Sequence, residues 1–270
     1  MEKISIRVNE KNLQVEEGTD LDFLRRTFKP HADLIIYNGF PREGNVRLKD
    51  GDEIVFIKIG EIPSYDELEA LMVARHTPGI HKRLKEATVG IAGLGGLGST
   101  VAVALARVGI GRLVIADFDL VEPSNLNRQQ YFVHQIGMWK VDAMKENLSM
   151  INPYIKVDAK KVVINPENIQ EVFSGCSVVV EALDRAEMKE MLINSMMRKM
   201  PQCVVIAASG LAGYGPNNEI RTIKFAKNLY VVGDLVSSAQ PGRGLMAPRV
   251  GIAAHHQANQ VIRVLLGEGD

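Results

Sequence analysis

Ala87-Thr88-Val89-Gly90-Ile91-Ala92-Gly93-Leu94-Gly95-Gly96-Leu97-Gly98-Ser99 is the stretch that decides the fold of this chain. A short apolar run passes directly into G-x-G-x-x-G, and a helix-forming segment follows from Ser99 through Val108. Strand, glycine turn and helix start in that order are the context a nucleotide-binding turn requires. Gly93 permits the sharp turn, Gly95 lets backbone approach a phosphate, and Gly98 lets helix and strand pack closely. The free N–H groups of the helix start then present partial positive charge to an anion.

Working outward, Leu113-Val114-Ile115-Ala116 reads as a buried parallel strand ending in Asp117. An acidic residue roughly 20 residues past the glycines is placed to bond the ribose hydroxyls of an adenosine. An NAD-dependent oxidoreductase would look the same to this point. It has no need for the run that follows, Asp117-Phe118-Asp119-Leu120-Val121-Glu122-Pro123-Ser124-Asn125-Leu126-Asn127-Arg128-Gln129. This polar loop ends in a cation just past the carboxyl end of a strand, where ligands of open α/β sheets sit. Lys140 lies further on, and Asp184 follows another apolar strand, Val178-Val179-Val180-Glu181-Ala182-Leu183.

GLGGLG, D-F-D-x-V-E-x-S-N-L-N-R-Q, Lys140 and L-D-R, in that order, resemble the adenylating domain of the ThiF/MoeB family, over residues 71–267. The resemblance implies an α/β fold with a Rossmann-like, mostly parallel sheet and helices on both faces. It also implies adenylation of the C-terminal glycine of a ubiquitin-like sulfur carrier. By resemblance Gly93, Gly95, Gly96 and Gly98 hold phosphates and Asp117 the ribose, with Asp119 beside it. Asn125, Arg128 and Lys140 match triphosphate-binding positions, and Asp184 matches the Mg²⁺ ligand. Arg75 matches approximately an arginine that family dimers extend into the partner's ATP site, although Ala74-Arg75-His76-Thr77-Pro78 departs from the usual R-Y-x-R-Q.

These residue types suit the chemistry. A free C-terminal carboxyl ordinarily titrates at about pH 3.5, so it is ionised at neutral pH and attacks the α-phosphate of ATP without a general base. The obstacle is an anion approaching a polyanion, which cations and a metal ion relieve. Each residue also has a plainer reading. Asp117 and Asp184 can cap strands or helices, Arg128 and Lys140 can be solvated surface cations, and Asp119 can orient its loop. The adjacent His255 and His256 fall on a terminal helix read over residues 252–266. There they point in different directions, which argues against a joint metal site.

The first sixty residues are organised differently. Residues 3–9 and 13–15 alternate as half-buried strands around a polar turn, residues 21–26 read as a short helix, and residues 34–37 and 53–58 read as further strands. This ββαββ pattern resembles a small β-grasp (ubiquitin-like) domain, specifically the sulfur carrier ThiS, over residues 1–64. A working carrier ends in a free Gly-Gly. Here Ile59-Gly60-Glu61-Ile62-Pro63-Ser64 lacks the pair and continues, so the fused domain is expected to be an appendage that aids dimerisation or regulates carrier access. Ser64 and Glu67 form a capping box for a helix over residues 65–75, with Leu68, Leu71 and Met72 at packing positions. The boundary is set at 1–62 for the β-grasp domain and 63–270 for the adenylating domain.

Cys176 and Cys203 are the only cysteines, so the paired CxxC motifs that hold zinc in many relatives cannot form. Both read as core residues, and the reaction is expected to stop at the adenylate. The Gly/Pro-rich segment over residues 237–244 reads either as a lid with Arg243 gripping the carrier's tail or as a solvated loop. Lys+Arg and Asp+Glu balance at 32 each, which argues against nucleic-acid or membrane surfaces held by bulk charge. With no signal peptide or long apolar span visible and two cysteines, the chain is expected to be cytoplasmic.

The expected protein is an ATP- and Mg²⁺-dependent, zinc-free adenylyltransferase and homodimer, acting on a separate ThiS-like sulfur carrier in thiamine (thiazole) synthesis. The rivals are a non-catalytic ATP-binding protein that senses or sequesters partners through the β-grasp domain, and an NAD-dependent oxidoreductase.

Overall fold

The computed structural model describes residues 2–76 and 79–269. Contacts divide the chain into two units, Met1–Gly79 and Ile80–Asp270. The first contains β1 (Lys3–Val8), β2 (Lys11–Glu16), α1 (Leu21–Phe28), β3 (Leu34–Tyr37), β4 (Phe40–Pro41), β5 (Glu53–Ile57) and α2 (Tyr65–His76). The second contains α3 (Ile80–Glu86), β6 (Thr88–Ala92), α4 (Gly96–Arg107), β7 (Arg112–Asp117), α5 (Lys140–Ile151), β8 (Lys156–Lys161) and α6 (Ile169–Val172). It continues with β9 (Val178–Glu181), α7 (Ala186–Lys199), β10 (Val204–Ala208), β11 (Arg221–Ala226), β12 (Leu229–Gly233) and α8 (Ala247–Leu265).

In the first unit the strand order is β2-β1-β5-β3-β4, with β1 and β5 parallel and the other pairs antiparallel. Period-two alternation turns Ile6, Val8, Ile54 and Phe56 inward, where Leu21 and Leu24 of α1 cover them. Asp20 caps α1 by accepting the Phe23 N–H at 2.8 Å. The β1–β2 turn is made by Asn9 and Glu10 at positive φ, a conformation asparagine tolerates. Half of the expected capping box forms. Ser64 Oγ accepts the Glu67 N–H at 3.2 Å, but the Glu67 carboxylate accepts from Asn9 Nδ2 at 2.9 Å instead. No residue of α2 is buried, Leu68, Leu71 and Met72 being half-exposed. The contact division falls at Gly79, so α2 counts with the first unit, whereas the boundary read from sequence lies at 62/63.

The second unit is built on a seven-stranded sheet, β11-β12-β10-β9-β6-β7-β8, parallel except for the β11–β12 pair. Both faces are covered, as parallel sheets require. Val89, Ile91, Leu113, Ile115, Val178 and Val180 pack against α4, α5 and α8. Val114, Ala116, Val179 and Val205 pack against α6 and α7. Each such fully buried branched side chain contributes roughly 1.5–3 kcal/mol. Gly90 is obligatory in β6 because a Cβ there would lie 2.6 Å from the Phe173 ring. From β6 the chain builds β7 and β8 to one side, then β9 and β10 to the other. The reversal leaves a crevice beyond the carboxyl ends of β6 and β9, where ligands of such sheets bind. No helix among the described residues is long and apolar enough to cross a membrane.

Candidate functional site

The turn after β6 is pressed into that crevice. Gly93 has φ +91°, and a Cβ on it would lie 2.7 Å from the Ala182 carbonyl oxygen at the end of β9. At Gly98 a Cβ would lie 1.9 Å from the Gly93 carbonyl oxygen, so the helix can approach the turn only without a side chain. A Cβ on Gly96 would lie 2.9 Å from Val250 Cγ1 and 3.3 Å from Arg128 Cγ. Gly95 is the opposite case, since a Cβ would meet only Gln129 Nε2, at 3.9 Å. Gly95 caps α4 without a side-chain bond, which leaves the first-turn N–H groups open toward an anion. The helix begins at Gly96 rather than Ser99 because the glycines that make the turn also supply its first turn.

Asp117 ends β7 and ties the glycine turn to the loop that follows β7. One carboxylate oxygen accepts the Leu94 N–H at 2.6 Å, the other the Asp119 N–H at 2.8 Å. Burial pushes its pKa up, against those N–H bonds and the nearby Lys140 ammonium. Each oxygen retains a second lone pair for a ligand. Lys140 opens α5, and although its side chain is buried it forms an ion pair of 2.8 Å with Asp119. Asp119 therefore orients Lys140.

Between them a short 3₁₀ turn, Pro123–Asn125, is closed by Asn125 Oδ1 accepting the Glu122 N–H at 3.0 Å. Arg128 donates to Asn127 Oδ1 at 2.9 Å and to Ser124 O at 3.4 Å, and has no carboxylate partner among the described residues. Asp184 stands exposed beyond β9.

Every predicted site residue except Gly98 and Arg75 lines one cavity of about 1030 Å³. Gly98 lies beneath it as packing. Arg75 is on α2 of the first unit, its guanidinium 3.2 Å from Glu10; Thr77 and Pro78, which complete its motif, lie outside the described residues. Mg²⁺ commonly binds through one or two carboxylates together with substrate phosphates. An exposed Asp184 lining the same cavity as Arg128 and Lys140 fits that donor set. Among the described residues no group of three or more His, Cys, Asp or Glu could hold a metal ion by itself.

Three contributions to the cavity escape a sequence reading. Gln129 is buried with Oε1 unpartnered, immediately after Arg128. Glu181 is fully buried and takes Lys189 Nζ at 3.0 and 3.1 Å together with the Leu183 N–H at 2.8 Å. Burial raises its pKa and Lys189 opposes the rise. A charge closing an otherwise apolar strand is the signal that could have found it. The third contribution is residues 209–212, which make a roof together with residues 237–239 of the segment read from sequence as a lid or a solvated loop. Arg243 is exposed outside this lining, its stem lying over Gly213. His255 pairs with Gly251 O and His256 with Thr222 Oγ1, so the two histidines have separate partners.

A molybdopterin-synthase adenylyltransferase from Haemophilus influenzae is 30% identical over 195 residues, covering 70% of this chain and 78% of that protein. The adenylyltransferase and sulfurtransferase UBA4 of Candida glabrata is 29% identical over 218 residues, covering 76% of this chain and 49% of that protein. The chain thus spans about half the length of the UBA4 relatives it matches. In fold it resembles the Escherichia coli tRNA N6-threonylcarbamoyladenosine dehydratase solved with ATP, with TM-score 0.69, 21% identity and coverage of 77% of this chain and 98% of that one. Residues 4–60 match a family described as ThiS-like ubiquitin. Residues 68–270 match the ThiF family, and the chain belongs to that family.

Proposed function

We propose that this protein adenylates the C-terminal glycine carboxylate of a separate ThiS-like sulfur carrier, using ATP, in the thiazole branch of thiamine synthesis. One observation carries the reading. A guanidinium without a carboxylate partner, a buried lysine and an exposed aspartate share a cavity with the uncapped first turn of α4. That is a cradle for a triphosphate. Two relatives are adenylyltransferases, one of them also a sulfurtransferase, which favours the same chemistry.

In this reading the first-turn N–H groups of α4 hold the phosphates and Asp117 takes the ribose hydroxyls on its free lone pairs. The carrier's carboxylate attacks the α-phosphorus, the bond to the bridging oxygen breaks, and pyrophosphate leaves. Arg128 and Lys140 neutralise charge on the leaving group, and Asn125 orients it through Nδ2. Asp184 would hold Mg²⁺, which supplies Lewis-acid neutralisation of the phosphate oxygens.

The fused ThiS-like unit is an appendage rather than the substrate. Its last strand ends at Ile57, and Glu61, just past Gly60, pairs with Lys29 at 2.8 Å. Its segment therefore folds back instead of ending in a mobile carboxylate. The assembly is a homodimer in which Arg75 serves the partner's site, so mixed dimers of Arg75→Ala and Lys140→Ala subunits should recover activity.

The deciding test is ATP–pyrophosphate exchange with ThiS-like carriers ending in Gly-Gly, with Lys140→Ala as control. Exchange that needs the intact carrier terminus and disappears in the variant is expected. Tight ATP binding without exchange with any carrier would instead make this a binding protein, and stabilisation by NAD rather than ATP would make it an oxidoreductase.

A further inference from the structure

Arg249 lies in the first turn of the nineteen-residue α8, directly after Pro248, and its side chain is only 4% exposed. A cation there opposes the helix dipole, and a buried guanidinium needs partners for its donors. It finds them on two remote loops. Nη1 donates to Gly215 O at 2.7 Å and Pro216 O at 3.1 Å, and Nη2 donates to Asp234 Oδ2 at 2.7 Å. Nε stays buried without a partner, so the arrangement is not the most favourable one for the arginine alone.

Asp234 gathers the other side. Its carboxylate accepts the N–H groups of Val236 at 2.8 Å and Ser237 at 2.7 Å, as well as the Ser237 hydroxyl. The two segments of the roof are then cross-linked by backbone. Asp234 N–H donates to Gly210 O at 2.9 Å, Leu235 N–H to Ser209 O at 3.2 Å, and Ala212 N–H to Ser237 O at 3.3 Å. The fit leaves no slack, since a Cβ on Gly210 would lie 2.1 Å from Asp234 Oδ1. Leu235 is held at φ +65°, a conformation that persists only when its surroundings over-determine it.

We infer that the Arg249–Asp234 pair is a positioning device that fixes the roof over residues 209–212 and 237–239, under which the carrier's tail would lie in the proposed adenylation. The inference rests on the proposed adenylation. The floor of the cavity already supplies the phosphate and ribose groups. The roof supplies backbone, three serines and, apart from Leu211, small side chains, suited to an extended tail with little side chain of its own. Neither Arg249 nor Asp234 lines the cavity, so both act through the roof.

The test uses Asp234→Asn, which keeps the shape and removes the charge, and Arg249→Lys, which cannot reach Asp234 and both carbonyls together. In exchange assays with a Gly-Gly-ended carrier, KM for the carrier should rise roughly ten- to a hundred-fold while KM for ATP stays within about two-fold. Independently of turnover, hydrogen exchange at the amides of Ala212, Asp234 and Leu235 should accelerate in Asp234→Asn, with those of Gly93 and Ser99 unchanged. Unchanged roof protection, or KM values for ATP and carrier that rise together, would overturn the inference. If wild-type protein exchanges normally and both variants match it, only this inference falls. If wild-type protein binds ATP but exchanges with no carrier, the proposed function falls and takes the acyl assignment with it.

Discussion

The floor and the roof of the cavity are held by opposite means. The floor comes from a single βαβ unit: the glycine turn after β6, and Asp117 at the end of β7 reaching back to the Leu94 N–H. The roof is fixed by Gly215, Asp234 and Arg249, which lie on two loops and a helix start outside any one βαβ unit and meet only once the sheet and α8 are assembled. Their electrostatics are opposite too. Burial raises the pKa of Asp117 in the floor. Burial also pushes Asp234 up, but the Ser237, Val236 and Arg249 donors outweigh it and hold its pKa at about 2. The floor carries a charge at some cost in stability, whereas the roof's charge stabilises the fold.

The largest effect should come from the floor's steric requirement. Gly98→Ala places a methyl 1.9 Å from the Gly93 carbonyl oxygen. Backbone must move, at a cost of about 3 kcal/mol or more, read as a fall in Tm of roughly 6–12 °C with loss of ATP-induced stabilisation. Gly95→Ala meets nothing closer than 3.9 Å. It should leave Tm nearly unchanged while weakening ATP, because its methyl enters the space in front of α4. Equal loss of stability in the two variants would erase the distinction between packing and ligand-facing glycines.

Next in size is Arg128→Ala. Having no carboxylate partner among the described residues, Arg128 can be removed with stability changed by only about 0.5 kcal/mol. Pyrophosphate exchange should nevertheless fall roughly 10²- to 10³-fold. Lys140→Ala should lose both, since it strands Asp119 and removes a charge that favours ionised Asp117. A stability loss in Arg128→Ala as large as that in Lys140→Ala would mean that Arg128 is structural.

The same contrast governs what can be read from sequence. The glycine turn, the strands leading into Ala92 and Asp117, the apolar run opening at Val178 and four of the five strands of the first unit are legible because each depends on local periodicity and turn chemistry; the strand read over residues 178–183 stops at Glu181, and the two-residue β4 is too short to alternate. The roof is legible only as the lid-or-loop alternative over residues 237–244, whereas the Arg249–Asp234 pair that fixes it joins the start of α8 to a separate loop, and no local pattern announces it. Terminal helix α8 begins at Ala247 instead of residue 252 for the same reason, because its first turn is stabilised by contacts from other segments. Gln129 and Glu181 fall between these cases. Each is visible as a polar residue in a telling place, but only packing shows that one has an unpartnered oxygen and the other a lysine.

The acid side of the stability curve separates the two aspartates. A depressed folded-state pKa contributes stability that is present above the unfolded value and lost as pH falls through the folded one. For Asp234 that window runs from its ordinary value near 3.8 down to about 2. Wild type should therefore exceed Asp234→Asn by about 2 kcal/mol at neutral pH, and the gap should close across that window. Asp117 has the reverse sign, since a raised folded-state pKa makes the fold bind more protons than the unfolded chain, so its contribution improves as pH falls. Chemical denaturation of both Asn variants from pH 7 downward reads the two slopes. A gap for Asp234→Asn that stays constant through the window would mean that its stabilising bonds do not depend on charge.

The smallest effect is expected away from both floor and roof, at the thiols. Cys176 and Cys203 are buried against the face covered by α6 and α7, and burial pushes both thiols up to about 12. At neutral pH the thiolate fraction is then on the order of 10⁻⁵, too small for a nucleophile that must attack an acyl adenylate. Neither residue lines the cavity. Cys176→Ala and Cys203→Ala should each lower stability by about 1 kcal/mol through lost packing, with carrier-dependent exchange unchanged and no thiol-linked carrier adduct in the wild type. Mass spectrometry of a turnover mixture under non-reducing conditions makes the decision. A covalent carrier adduct lost in either variant would place a reactive thiol in the reaction, and would require the β9–β10 face to open during turnover.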